Sequence, residues 1–316
     1  MKVVFFGTPE YVLPILSGIH KKFIGKAGKS PVVAVVTQSP KEVGRKRIVT
    51  YSPIDKWAHE RNISVYYSAN DLVDDQIEAD FGILAAYGAI LPKQVLKMFP
   101  NGILNIHPSL LPKFRGASPV QGTIVSGEKI TGGTIIKLDE EMDHGPIISQ
   151  FKDEVLDNDT IESLRNRLFE RSKDVILELI EPYIGGKIKF KKQNHEQATY
   201  TKLIKKDFGF IEPVFINDAI DGKENETDWE IKFVKNLFLK PSAENISNFV
   251  RSLTPWPGAW TNITLREGNK KRIKILKAHT EENKLIVDEV QLEGKNPVSW
   301  SQFKAAYPEA EFWSLL

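Results

Sequence analysis

Two polar side chains at the end of an apolar run are well suited to do chemistry. Asn105 and His107 lie in the run Ile103–His107, and Pro108 follows directly. Because side chains alternate along a strand, Asn105 and His107 are expected to project from one face. A side-chain amide and an imidazole N–H can both donate to an oxyanion that forms at an acyl carbon. Imidazole can also take a proton from an attacking amine near neutral pH.

A carboxylate further along the chain could complete this site. Asp143 follows the apolar run Gly132–Leu138 and precedes a Gly-Pro pair, which indicates a tight turn after a strand. A carboxylate fixed in such a turn can orient an imidazole or a water molecule. A purely structural alternative stays open at this point: Asn105 caps a turn, His107 is a hydrogen-bonded core residue and Asp143 bonds its own turn.

Other reaction classes lack their sequence signatures. The first apolar run is followed by Gly-Thr-Pro-Glu at 7–10, without the glycine spacing of a dinucleotide fingerprint or a P-loop. The chain has no Gly-x-Ser-x-Gly motif of a hydrolase. It also has no cysteine, and its six histidines are scattered. Thiolate chemistry and cysteine-based zinc sites are therefore excluded, and we expect no metal.

The first half of the chain is predicted to form strands separated by helical or irregular connections. Several of its apolar runs are nearly continuous, which indicates burial on both faces of a parallel sheet covered by helices. The predicted strands are Val3–Phe6, Val32–Val36, Ile63–Tyr67, Phe81–Ala86 and Ile103–His107. An apolar stripe over Thr160–Ile180, with Asp159 or Thr160 as N-cap, predicts a long helix. The pattern favours the α/β class with a Rossmann-like, open, mostly parallel sheet, in which ligands bind at the carboxyl ends of the strands.

The C-terminal third shows consecutive strands, which favour a small OB-like β-barrel. These strands are Trp260–Leu265, Arg272–Ala278 and Leu285–Leu292, and short helices are predicted at Ser242–Leu253 and Ser299–Ala306. We expect a catalytic domain over 1–188, an exposed basic linker over 189–206 and a barrel domain over 207–316. A polar stretch near 217–240 is expected to be a surface insertion.

Length and composition limit the class of protein. The 316 residues suggest two domains. The 43 Lys and Arg nearly balance the 41 Asp and Glu, so any contact with nucleic acid must depend on local patches.

The apolar runs are too short for a membrane helix, and a strand starts at Val3, without a leader before it. We therefore expect a cytoplasmic protein without a membrane partner. Nothing in the sequence indicates an obligate oligomer, so a monomer is expected.

The polar residues described above belong to a longer motif. Residues 105–112 (Asn-Ile-His-Pro-Ser-Leu-Leu-Pro) and 143–146 (Asp-His-Gly-Pro) resemble the signature of the 10-formyltetrahydrofolate-dependent formyltransferases. The resemblance implies that Asn105 and His107 polarise a formyl carbonyl and that Asp143 orients His107. It also implies a folate site, and the residues expected to line it are Ser109, Leu110, Leu111, Pro112 and Tyr87.

Four further segments are similar to the family members that act on methionyl-tRNA. They are 6–10 (Phe-Gly-Thr-Pro-Glu), 86–92 (Ala-Tyr-Gly-Ala-Ile-Leu-Pro), 115–121 (Arg-Gly-Ala-Ser-Pro-Val-Gln) and 254–260 (Thr-Pro-Trp-Pro-Gly-Ala-Trp). The resemblance covers nearly the whole chain and implies 10-formyltetrahydrofolate as donor and methionyl initiator tRNA as acceptor. Basic residues after the second strand and in the linker are then candidate RNA contacts that would position the tRNA. They are Arg45, Lys46, Arg47, Lys202, Lys205 and Lys206, with a second basic run at Lys270–Lys277.

Two other functions stay open on the sequence alone. The same enzyme class could act on an amino-sugar nucleotide, which the barrel-like C-terminal pattern and the basic linker disfavour. A non-catalytic RNA-binding relative is disfavoured because Asn105, His107 and Asp143 occur together. Of the other histidines, His195 has no chemical neighbour in the sequence and is assigned no role. His144 is either a bystander or a perturbation of the site's protonation.

Overall fold

The structure, a computed structural model, describes residues 1–25, 28–44, 47–223 and 225–312. Its strands are β1 (Val3–Gly7), β2 (Val32–Val36), β3 (Lys41–Val43), β4 (Ile48–Thr50), β5 (Ser64–Tyr66), β6 (Phe81–Ala85), β7 (Ile103–His107), β8 (Arg115–Gly116), β9 (Ile130–Lys137), β10 (Ile147–Glu154), β11 (Tyr200–Thr201), β12 (Trp229–Glu230), β13 (Phe238–Leu239), β14 (Ala259–Thr264), β15 (Lys270–Glu281), β16 (Lys284–Leu292), β17 (Val298–Ser299) and β18 (Glu311–Phe312). Its α-helices are α1 (Leu13–Phe23), α2 (Pro53–His59), α3 (Asp71–Asp74), α4 (Lys93–Lys97), α5 (Pro119–Val125), α6 (Ile161–Ile184), α7 (Pro213–Asp221), α8 (Ala243–Ser252) and α9 (Trp300–Ala306).

Two compact units make up the fold, and they are interleaved in sequence. The first unit contains residues 1–115, 132–153 and 165–198. The second contains 116–131, 154–164 and the chain from residue 199 onward. Helix α5 therefore belongs to the second unit, although it precedes the linker in sequence.

A seven-stranded sheet in the order β10-β9-β7-β6-β1-β2-β5 forms the centre of the first unit. Strands β5, β2, β1, β6 and β7 run parallel, and β9 pairs antiparallel with β7. Every residue of β1 and β7 is buried. The predicted α/β class with a Rossmann-like, mostly parallel sheet is confirmed.

Apolar clusters cover both faces of this sheet. Phe5 of β1 packs in a cluster with residues of α1 and α6, whereas its neighbour Phe6 packs in a second cluster with residues of α3 and α4. Burial on both sides explains the continuous apolar runs of the central strands. Because both faces of the sheet are covered, polar groups of the sheet can meet a ligand at the carboxyl ends of the strands.

The long helix α6 extends four residues beyond its predicted end. Of the two candidate caps, Thr160 acts as the N-cap, because its Oγ1 accepts from the Ser163 N–H at 3.4 Å, whereas Asp159 Oδ1 accepts from the Ser163 hydroxyl at 2.7 Å. With 24 residues, α6 is the longest helix in the described ranges. None of the helices in those ranges is both long and apolar enough to cross a membrane.

A five-stranded antiparallel sheet in the order β17-β16-β15-β14-β18 forms the centre of the second unit. It curls into a half-barrel and packs against α7, α8 and α9. Burial alternates along β14, where Ala259, Thr261 and Ile263 are buried and the residues between them are not. The prediction that the C-terminal third forms a small domain with a barrel-like antiparallel sheet is confirmed.

The structure of residues 217–240 differs from the expected polar surface insertion. The segment starts in α7, and β12 pairs antiparallel with β13. Trp229, Ile231 and Phe233 lie in the main apolar core of the second unit. Charged residues at 230 and 232 separate these apolar positions, and the alternation is too short to identify a strand from sequence. Residues 229–234 therefore contribute to the core, whereas residues 221–223 and 226–228 are exposed.

Arg251 connects α8 to the turn before α6, and we predict that its loss destabilises the second unit. It donates from NH1 to the backbone oxygens of Leu156 and Asp159 at 2.9 and 3.0 Å. Burial lowers the pKa of Arg251, yet a guanidinium stays charged at physiological pH. Arg251→Met should lower the free energy of unfolding by about 1–3 kcal/mol, because two carbonyls lose a charged donor.

Urea unfolding of the full chain measures this effect. Arg266→Met is the matched control, because the Arg266 side chain is 80% exposed and lies 3.4 Å from Glu309. Equal losses of stability in the two variants would contradict the prediction.

Candidate active site

Strand β7 presents Asn105 and His107 at its carboxyl end. Asn105 lies opposite Leu84 of β6 and opposite Ile136 of β9. The two polar residues are 6% and 4% exposed. Pairing on both edges fixes the backbone of β7, so the position of each side chain is set by the central sheet.

Asp143 reaches the same point from the turn between β9 and β10. Its φ of 50° is a left-handed backbone conformation, which is uncommon for a residue with a Cβ. A Cβ at Gly145 would lie 1.8 Å from the backbone oxygen of Lys137. Glycine is therefore required for this turn to fold back tightly against the end of β9.

The three predicted catalytic side chains converge. Asn105 Nδ2 donates to Asp143 Oδ1 at 3.1 Å, and 3.5 Å separates His107 Nδ1 from Asp143 Oδ2. On the other side of the ring, the His107 Nε2–H donates to the backbone oxygen of Phe114 at 3.0 Å. Both ring nitrogens face oxygen acceptors, which fixes the orientation of the imidazole. The arrangement offers N–H donors for a developing oxyanion and a carboxylate that can assist a proton transfer.

The segment after β7 contributes four of the five residues expected to line a folate site. Ser109 is buried, and its Oγ donates to the backbone oxygen of Lys113 at 2.7 Å. Leu110 and Pro112 are half-buried. The Ser109 hydroxyl is thus engaged within its own turn, while the side chains of Leu110 and Pro112 are partly accessible.

Leu111 and Tyr87 are packing residues. Leu111 is buried in a small cluster with Ile136 and Ile147. The Tyr87 ring meets the Phe6 ring edge-on, with 5.9 Å between the ring centroids, and burial raises the pKa of its hydroxyl. Both side chains therefore lie in the apolar core, in the segments that follow β7 and β6.

Thr134 and Gln150 support the same segment and were not predicted from sequence. Thr134 Oγ1 donates to the Ser109 backbone oxygen at 2.6 Å and accepts from the Leu111 N–H at 3.1 Å. Gln150 Nε2 donates to the same hydroxyl at 2.9 Å. A hydroxyl donates once and accepts twice, so these contacts use it fully. A lone Thr and a lone Gln on separate strands carry no sequence signal.

His195, which was expected to have no neighbour, stacks on His144. The ring centroids are 4.0 Å apart and the planes differ by 10°. His144 Nδ1 lies 2.7 Å from Asp139 Oδ2, and Arg115 NH2 donates to His195 Nδ1 at 2.8 Å. Loss of hydration lowers the pKa of His195, and the positive charges of His144 and Arg115 lower it further, against the opposing effect of Glu141 and Asp139.

This lowered pKa predicts a pH dependence of stability. The folded chain binds a proton at His195 less readily than the unfolded chain does. The contribution of neutral His195 to the free energy of unfolding is therefore complete above about pH 6.5 and is lost as the pH falls below that value. We expect the melting temperature to fall between pH 7 and pH 5 by more in the wild type than in His195→Gln. Thermal unfolding of both proteins at the two pH values measures the difference, and identical shifts would contradict the prediction.

Of the basic residues expected after β2, Arg45 and Lys46 lie outside the described residues. Arg47 is exposed, and its Nε lies 3.8 Å from Glu42 Oε2. Strands β3 and β4 pair antiparallel here, with Val43 opposite Ile48. The described part of this segment therefore forms a short hairpin, in which Arg47 directly precedes β4.

Lys202, Lys205 and Lys206 of the linker are all exposed. The Trp260 Nε1–H donates to the backbone oxygen of Lys206 at 3.1 Å, and the Arg272 guanidinium lies over the Trp260 ring at 4.0 Å. The structure thus brings Lys206 of the linker and Arg272 of β15 next to the Trp260 ring in the second unit.

Comparisons with known proteins agree with this fold. Residues 1–180 match the family model described as formyl transferase, and residues 237–285 match the model of its C-terminal domain. With the central sheet and the three converging side chains, these matches define an enzyme class, the formyl transferases. A curated methionyl-tRNA formyltransferase of Clostridium perfringens strain SM101 is 31% identical over 329 residues, which cover 96% of each chain. The chain belongs to the methionyl-tRNA formyltransferase family.

Solved structures share the fold at lower identity. The methionyl-tRNA formyltransferase from Clostridium thermocellum has a TM-score of 0.55 at 18% identity, over 92% of this chain and 98% of that one. An N-formyltransferase from Helicobacter canadensis, in complex with folinic acid and dTDP-3-aminofucose, has a TM-score of 0.59 at 18% identity, over 95% of this chain and 98% of that one. One of these neighbours is named for methionyl-tRNA and the other is in complex with dTDP-3-aminofucose, so the common fold does not by itself choose the acceptor.

Proposed function

We propose that the chain transfers the formyl group of 10-formyltetrahydrofolate to the α-amino group of methionyl initiator tRNA. The observation that carries this proposal is the convergence of Asn105, His107 and Asp143 at the carboxyl end of β7. The family membership selects the acceptor, because the curated relatives are methionyl-tRNA formyltransferases at 31–34% identity.

The three side chains divide the chemistry between them. Asn105 donates an Nδ2–H to the formyl oxygen, and His107 donates a ring N–H that, without substrate, faces the oxygen of Phe114 or of Asp143. Both bonds stabilise the oxyanion that forms when the amine attacks. A new C–N bond forms to the amine, and the bond from the formyl carbon to N10 of the folate then breaks. The pair of His107 and Asp143 takes the proton from the amine and returns it to the departing N10. Asp143 also orients the His107 ring, 3.5 Å away.

The folate lies along the segment after β7 in this proposal. The pterin needs backbone hydrogen bonds and a flat apolar slot. Leu110 and Pro112 supply accessible apolar surface, while Ser109, Leu111 and Tyr87 hold that surface in place through their internal contacts.

The tRNA contacts basic residues of both units. Arg47, with Arg45 and Lys46 before it, contacts the acceptor end, and Lys202, Lys205 and Lys206 contact phosphates.

We propose that residues 1–188 carry catalysis, 189–206 form the basic linker and 207–316 carry most of the RNA surface. We also propose that the enzyme acts as a monomer in the cytoplasm, where charged initiator tRNA is used.

Incubation with 10-formyltetrahydrofolate and alternative amines tests the proposal. Parallel reactions contain charged methionyl initiator tRNA or an amino-sugar nucleotide, and the formylated amine is scored by mass spectrometry. We expect formyl-methionyl-tRNA alone. Formylation of the sugar, or binding of tRNA without any transfer, would overturn the proposed acceptor or the proposed catalysis respectively.

A further inference from the structure

We infer that Gln193 is a positioning residue that holds the turn of Asp143 and acts on formyl transfer through that carboxylate. The inference rests on the proposed function. Gln193 is 6% exposed, although its neighbours at 191, 192 and 194–197 are exposed. One side chain of the linker is therefore inserted into the first unit.

Hydrogen bonds fix every polar atom of the Gln193 amide. Its Nε2 donates to the backbone oxygens of Asp143 and Gly145 at 2.8 and 2.7 Å. Its Oε1 accepts from Arg115 NH2 at 2.7 Å. Arg115 is itself buried, so a charged donor orients the amide and leaves both of its N–H groups directed at the turn.

The turn needs such support because of its backbone conformation. A non-glycine residue in the left-handed region is strained and persists where its surroundings hold it. Asp143 has this conformation, and the two hydrogen bonds from Gln193 hold the backbone at Asp143 itself and two residues further on, at Gly145. Since a shift of a catalytic group by about 1 Å can cost about a hundredfold in rate, the fixed turn sets how well the carboxylate meets Asn105 and His107.

A neighbouring residue of the linker reinforces the same turn. His195 stacks on His144, which follows Asp143 directly. Arg115 NH2 donates to both Gln193 Oε1 and His195 Nδ1. Residues 193–195 thus contact residues 143–145 at two backbone oxygens and one ring.

Gln193→Met tests the inference, because methionine keeps the length of the side chain and removes its donors. We expect kcat to fall about 10- to 100-fold, with KM for both substrates within about threefold of wild type. Gln197→Met is the matched control, because Gln197 lies in the same linker and is exposed. A normal kcat in Gln193→Met would overturn the inference.

A double-mutant cycle separates positioning from general destabilisation. If Gln193 acts through Asp143, adding Gln193→Met to Asp143→Asn should lower kcat by less than about threefold more. If the losses multiply instead, Gln193 does not act through the carboxylate and the inference is wrong.

Amide hydrogen exchange provides a readout that needs no acceptor. In Gln193→Met, we expect peptides over residues 139–147 to exchange at least about tenfold faster than in wild type or Gln197→Met. Unchanged exchange would overturn the role of Gln193 in holding the turn. Absence of transfer to methionyl-tRNA in the wild type would instead overturn the proposed function, and the exchange result is independent of that assay.

Discussion

Replacing His107 with alanine is expected to lower the turnover of formyl transfer at least about a hundredfold while the protein stays folded. The ring lies between two oxygens, 3.5 Å from Asp143 Oδ2 and 3.0 Å from the backbone oxygen of Phe114. Its loss removes a donor to the oxyanion and also the partner of the carboxylate. Asn105→Ala and Asp143→Ala should give losses of similar size.

Single-turnover assays with saturating 10-formyltetrahydrofolate and charged initiator tRNA measure these losses. His279→Ala is the control, because His279 is a partly exposed histidine of the second unit that contacts Asp288. The double variant Asn105→Ala/His107→Ala should lose less than the product of the single losses, since the groups act as a unit. A purified His107→Ala protein with near-normal turnover would refute the mechanism.

The second large effect is on stability. Phe233→Ala is expected to lower the free energy of unfolding by about 3–5 kcal/mol, because it opens a cavity in the core of the second unit. Phe233 is fully buried, and its ring contacts the Phe249 ring at a centroid distance of 6.1 Å.

Phe238→Ala is a matched control from the same segment, because Phe238 is 57% exposed. Urea unfolding of both variants should show a large loss for Phe233→Ala and less than about 1 kcal/mol for Phe238→Ala. Similar stability in the two variants would instead indicate that residues 217–240 are a surface insertion.

The central strands could be predicted because burial on two faces makes their sequences continuously apolar. All five residues of Val3–Gly7 are buried, and their composition leaves little alternative to a covered parallel strand. The same reasoning fails for β3 and β4, which have three residues each and are exposed where described. Such a short hairpin carries no burial pattern that sequence could reveal.

The site was predictable where local geometry determines it. The spacing of Asn105 and His107 places them on one face of any strand, and the turn residues after β9 indicate where Asp143 lies. Gln193 could not be predicted, because its two acceptors are 50 and 48 positions away. Its neighbours in the linker are mostly exposed and several are lysines, so the composition of the linker indicates a solvated connector.

The interleaving of the two units has a consequence for any attempt to divide this protein. Helix α5 packs against α8, and its last residue, Val125, is buried in the same core as Ile246 and Phe249. A fragment that stops near residue 188 would keep Val125 and lack the helix that shelters it. A fragment that starts there would lack α5, so the part of the core that α5 covers would be exposed to solvent. For the residues that the structure describes, a cut near residue 188 therefore leaves neither half with its complete set of packed elements.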